Sequence, residues 1–128
     1  MEGSFRVSVL IEPDALREMM DALDGVMTPL DPRYRRVFTY HPATVTWTAA
    51  ENSHPAAGEK GVPQTFEGLV LEFLVGADDL DRVLETIDRI HPYEEPVVDV
   101  IPEMFWRDRM SAGRGRSLRF SLRFLLRP

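Results

Sequence analysis

Three histidines, His41, His54 and His91, are each followed directly by proline, which steers the histidine away from helical backbone and into extended or loop conformations. The last of them opens the run His91-Pro92-Tyr93-Glu94-Glu95-Pro96. An imidazole next to two carboxylates supports two kinds of chemistry. His91, Glu94 and Glu95 together could ligate a divalent ion such as zinc or nickel. Adjacent carboxylates could also serve as acid and base, but only where burial drives their pKa values apart, and no catalytic residue is assigned on this pattern. A purely architectural role uses the same residues: His91 would close the carbonyl end of a helix and pair with Glu94, Tyr93 would bury its ring, and the prolines would fix a rigid corner.

A second segment could complete such a site. Residues 50–65 are rich in proline, glycine and small polar side chains and read as a long loop, a class that carries function more often than short connections do. If it folds over the corner, His54 and Glu59 join His91, Tyr93, Glu94 and Glu95 as a ligand-binding set. These residues come from distant segments, and paired histidines one helical turn apart do not occur. Neither a nucleophile elbow, a P-loop nor a dinucleotide-binding glycine pattern is present.

The elements that must position these groups follow from periodicity. Phe5, Val7, Val9 and Ile11 alternate with polar residues, as in a half-buried strand. Pro13 opens a helix whose apolar stripe is Leu16, Met19, Met20 and Leu23, with Gly25 as its stop. The methionines belong to that packing stripe rather than to a soft-metal site. Tyr34–Tyr40 and Val45–Thr48 are aromatic and β-branched and predict two strands joined by a turn at His41-Pro42-Ala43. Gly68–Val75 is a nearly continuous apolar run, predicting a strand covered on both faces. Asp78 and Asp79 start a helix with Leu80, Val83, Leu84, Ile87 and Ile90 as its buried stripe, Pro92 ends it, and Val97–Ile101 forms a last strand. The order strand, helix, strand, strand, helix, strand predicts an α+β, ferredoxin-like βαββαβ sandwich. Two helices cover one face of its sheet, which leaves the other face to meet a second copy.

Composition bounds the function. A chain of 128 residues with 44% hydrophobic and 28% charged side chains fits one globular domain. It has no cysteine, which rules out disulfides and thiolate metal sites. The first residues do not resemble a signal peptide and no apolar run reaches membrane-spanning length, so a cytoplasmic location is expected. The net charge of −6 is uneven: residues 1–101 carry −11 and residues 102–128 carry +5. The acidic body disfavours nucleic acid. In the basic end, Leu118, Phe120, Leu122, Phe124 and Leu126 alternate with Arg119, Ser121, Arg123, Leu125 and Arg127. That period of two predicts an additional C-terminal strand, joined through the linker 111–116 and added to a sheet edge.

The run from His91 to Pro96, with Val98, Asp99, Val100 and Pro102 after it, closely resembles the H-P-Y-E-E-P-x-x-D-V-x-P signature of a small domain related to CutA and PII proteins. That domain occurs inserted in the dinuclear-metal family of GTP cyclohydrolase I type 2 homologs. Tyr34, Trp47 and Pro55-Ala56-Ala57-Gly58-Glu59-Lys60-Gly61 extend the resemblance upstream. His54 stands where the family has asparagine, and Pro42-Ala43-Thr44-Val45 replaces the glycines of its hairpin. The resemblance spans residues 5–102, so the expected organisation is a CutA/PII-like domain at 1–102 and a basic extension at 103–128. It implies the ferredoxin-like fold and a homotrimer whose subunit clefts hold a small ligand or a divalent metal. It concerns the inserted domain alone, so the larger family's hydrolase-like chemistry is not implied. The expected protein is a non-enzymatic oligomeric binding or interaction module, with a metal-dependent hydrolase as the alternative.

Overall fold

The computed structural model describes residues 3–52, 59–91 and 96–104. Strand β1 (Ser4–Ile11) leads through a 3₁₀ turn at Pro13–Ala15 into helix α1 (Leu16–Asp24). Strands β2 (Thr39–Thr48) and β3 (Pro63–Gly76) form a hairpin, and a second 3₁₀ turn, Ala77–Asp79, starts helix α2 (Leu80–Ile90), which precedes strand β4 (Val98–Glu103). The four strands lie in the order β2-β3-β1-β4 and every neighbouring pair is antiparallel. This is the ferredoxin-like arrangement the sequence predicts. No helix among the described residues is long and apolar enough to cross a membrane.

The register sorts the side chains. In antiparallel pairs, opposed residues share a face, so Val7 lies beside Phe73, Val9 beside Leu71 and Phe5 beside Val75. These residues meet Met19 and Leu23 of α1 and Val83 and Ile87 of α2, and this group is the core. Leu16, Met20, Leu80 and Ile90 flank it, as their spacing requires. The opposite face carries Arg6, Ser8 and Leu10 of β1 with Leu74, Glu72 and Val70 of β3, and no helix among the described residues covers it.

Two boundaries differ from expectation. Residues 34–38 are not a strand, and no turn interrupts 41–43: Thr39–Thr48 is one continuous strand paired with β3 from Thr39↔Glu72 to Thr48↔Pro63. Pro42 lies inside it, which a sheet tolerates because β2 is an edge strand. Upstream, Arg36 has a φ of 56°, a left-handed conformation that breaks an extended run. Its guanidinium reaches Asp21 at 2.8 Å and Asp24 at 3.6 Å, so this segment runs beside α1 rather than in the sheet.

A buried carboxylate fastens the connection that follows α1 to the start of α2. Asp79 is buried, accepts the Thr28 backbone N–H at 2.8 Å and pairs with Arg82. Asp79→Ala is expected to destabilise the fold by about 1–2 kcal/mol, because it strands the Thr28 N–H. Asp79→Asn, which retains an acceptor, should lose less, since Arg82 is largely exposed and exposed pairs contribute little. Equal losses in urea titrations of the two variants would contradict this account.

Candidate functional site

The corner from α2 to β4 is built around His91. Its backbone is extended, with φ −73° and ψ 133°, as a residue before proline prefers, and its N–H donates to the Ile87 carbonyl at 2.9 Å. The ring is buried, and Nε2 lies 2.6 Å from the Leu10 carbonyl oxygen. A carbonyl can only accept, so Nε2 carries a proton and donates. Leu10 in turn donates its N–H to the Val97 carbonyl at 3.2 Å. One residue of β1 therefore ties together the end of α2 and the entry to β4. Any ligand or metal contact made by His91 must use Nδ1 or break the Leu10 bond.

The loop between β2 and β3 spans residues 49–62, close to the expected 50–65. Its base is closed by Gly61 N–H to the Ala49 carbonyl at 2.7 Å and Val62 N–H to the Glu59 carbonyl at 3.3 Å. Gly61 has a φ of 78°, which favours glycine. Glu59 is exposed. The loop and the His91 corner lie at the same end of the sheet, but at different heights. β1 ends where Ile11 opposes Leu69, so β3 from Pro63 to Gly68 overhangs it. At ~3.3–3.4 Å per residue that overhang spans about 20 Å. Within one chain the described base of the loop, where Ala49 meets Gly61, stands well beyond the corner.

Of the predicted site residues, Glu59 and His91 are therefore at the same end without being brought together. His54, Tyr93, Glu94 and Glu95 lie outside the described residues, as does the predicted strand at 118–127. Among the described residues no three or more of His, Asp and Glu group as a metal site. His41 is exposed on β2 in the row of Val70 and Leu10, on the face away from the helices.

Sequence reasoning passed over an open groove of about 1080 Å³ beside residues 27–38, lined among others by Arg6, Tyr34, Arg35, Arg36, Phe73 and Leu74. Its arginines are matched by acids: Arg35 pairs with Asp24, Arg36 with Asp21 and Asp24, Arg6 with Glu103. The hydrogen bond from Arg35 holds the Asp24 carboxyl below its usual range. Arg33, bonded to Asp31, lowers that carboxyl from 3.8 to about 2. The sequence signal is the cluster Asp31-Pro32-Arg33-Tyr34-Arg35-Arg36 facing the acids of α1. Both carboxylates are depressed in the folded protein, so the stability they contribute is complete above about pH 4 and is lost as pH falls toward 2. NMR titration should show the amides of 31–36 shifting within that window, whereas movement only above pH 5 would contradict these pairings.

No protein-family model matches the chain. A curated relative, the GTP cyclohydrolase 1 type 2 homolog of Halalkalibacterium halodurans, is 30% identical over 71 residues, which is 56% of this chain and 19% of that protein. The chain thus spans about a fifth of the length of that relative. Among solved structures, a Bacillus cereus protein related to NIF3 superposes with a TM-score of 0.68 at 23% identity, covering 79% of this chain and 26% of the other. GlnK of B. subtilis in complex with ATP gives 0.55 at 17% identity, over 77% and 83% of the two chains. The divalent ion tolerance protein CutA1 of Ehrlichia chaffeensis gives 0.59 at 10% identity, over 86% and 90%. The fold is that of PII and CutA proteins.

Proposed function

We propose that this domain is a non-enzymatic, oligomeric PII/CutA-like module that binds a small ligand where the β2–β3 loop of one copy meets the His91 corner of another. The observation that carries this reading is the placement of the two segments at one end of the sheet, separated in height by the β3 overhang. On this reading a second copy supplies the loop to the corner. The sheet face without helices, where Val70 and Leu74 are partly exposed, is the surface assigned to a homotrimer contact. His54, Glu59, His91, Tyr93, Glu94 and Glu95 are the residues assigned to the ligand, and a divalent metal would be held by His91, Glu94 and Glu95. Because the GlnK comparison structure is an ATP complex, nucleotide triphosphates are the first ligands to test, in the cytoplasm or in a cytoplasm-like buffer.

Thermal melts with ATP, GTP and divalent cations, alone and combined, decide between readings. A ligand specific for the folded state at a hundredfold its Kd stabilises by about 2.7 kcal/mol, a shift of several degrees. Sedimentation should give a trimer. No shift with any of these compounds removes the ligand and leaves an interaction domain. The similarity to a cyclohydrolase homolog motivates the competing enzyme reading, which requires the chain to turn over GTP or another phosphate compound with added metal. Turnover lost in Glu95→Ala with folding intact would establish that reading instead.

A further inference from the structure

The outer edge of β4 has the marks of a strand-binding site. Within the four-stranded sheet β4 pairs only with β1, and no strand among the described residues lies on its other side. Four large apolar residues are exposed along this short segment: Val97 at 55%, Val100 at 38%, Ile101 at 50% and Met104 at 39%. They lie on both faces of the sheet, since Val100 is opposite Val7 on the helix side and Ile101 opposite Arg6 on the other. A partner lying on one face would cover half of them, whereas a strand laid alongside covers both sets.

The backbone direction can also be read. Val97 accepts from Leu10 through its carbonyl, so by alternation 99, 101 and 103 direct their backbone groups to β1, and 98, 100 and 102 direct theirs outward. Residue 102 is proline, which removes an N–H where β1 does not need one. The donors left on the outer edge are the amides of Val98 and Val100.

We propose that residues 118–127 of the same chain fill this edge as an antiparallel fifth strand. The chain runs on for 25 residues past Glu103. Residues 104–117, at up to ~3.3–3.6 Å each, reach far enough to turn back beside β4, and Gly113 and Gly115 allow the turn. The alternation then fits both faces. Leu118, Phe120, Leu122, Phe124 and Leu126 extend the helix-side layer over Val100. Arg119, Ser121, Arg123, Leu125 and Arg127 fall on the other side, where their stems cover Ile101. Their charges there answer the exposed Asp99, which shares a row with Ser8 and Glu72. The tail's surplus of +5 is thereby set against a body of −11. The strand is longer than β4, so its last residues pass Val97 toward the His91 corner. This inference is independent of which ligand, if any, that corner takes.

Amide hydrogen exchange on the full chain reads the proposal directly. Val98 and Val100 should exchange at least a hundredfold more slowly than free-peptide rates, and Leu122→Pro should abolish that protection while Val7 and Val9 remain protected. The cysteine-free sequence supplies a second measurement that does not depend on the proline variant folding. Ile101→Cys is combined singly with Arg119→Cys, Ser121→Cys and Arg123→Cys, and oxidation should give an intrachain disulfide in one of the three pairs. Rapid exchange at Val98 and Val100 in the unmodified protein overturns the proposal. Protection with disulfides only between chains places a strand of another copy on the edge, and protection with no disulfide keeps 119–123 away from Ile101; either result overturns it.

Discussion

Phe73→Ala should destabilise the domain by about 3–5 kcal/mol, the range for removing a large aromatic from a core, and lower Tm by about 10–20 °C. Phe73 is buried in a central strand, beside Val7 and against the layer formed by α1 and α2. Its ring also meets Phe38 edge-on, with centroids 5.6 Å apart and planes at 76°. Phe38 is the apolar anchor of the segment that Arg36 turns out of the sheet, so the same truncation should release residues 34–38. The edge-on pair itself accounts for about 0.5–1.5 kcal/mol. Phe38→Ala should therefore cost less than Phe73→Ala, and the double variant less than the sum. Denaturant titrations of the four proteins measure this directly; strict additivity would mean that the two rings do not interact.

Gly68→Val is expected to cost about 3 kcal/mol, the upper part of the range for overpacking, although valine is the better strand former by up to ~1 kcal/mol. A Cβ at position 68 would stand 2.7 Å from Cζ of Phe66 and 2.9 Å from the Ile11 carbonyl oxygen. The ring can swing away, but the carbonyl belongs to the last residue of β1 and is held by its backbone. Phe66→Ala introduced together with Gly68→Val should recover part of the loss and leave the backbone share. Full recovery would assign the whole effect to the ring, whereas a neutral Gly68→Val would show that β1 can yield.

Much of the architecture was legible in the sequence because it rests on long periodic stretches. Val7, Val9 and Ile11 sort by period two, and Leu16, Met19, Met20 and Leu23 by helical spacing, and burial followed both patterns. The segment 34–38 misled because strand propensity is blind to φ. Nothing in Tyr34-Arg35-Arg36-Val37-Phe38 announces that Arg36 turns left-handed, and the acids of α1 that it then meets are distant in sequence. The corner was identifiable as a helix end through the proline after His91. The Leu10 carbonyl that fixes the ring was not, because backbone acceptors carry no letter in a sequence. The same applies to Gly68, whose role depends on a carbonyl from the opposite strand.

The strand order also bears on how the molecule forms. β1 is synthesised before the other three strands, yet it ends between β3 and β4, its partners lying some 60 to 100 residues downstream. Such non-local pairing slows folding relative to helical bundles, whose contacts are local. Until Glu103 has been synthesised, a nascent chain carries Val7, Val9 and Ile11 on a strand that lacks at least one neighbour. The interval between making that strand and enclosing it leaves apolar surface and an unpaired strand edge open, the condition that favours aggregation of incomplete chains.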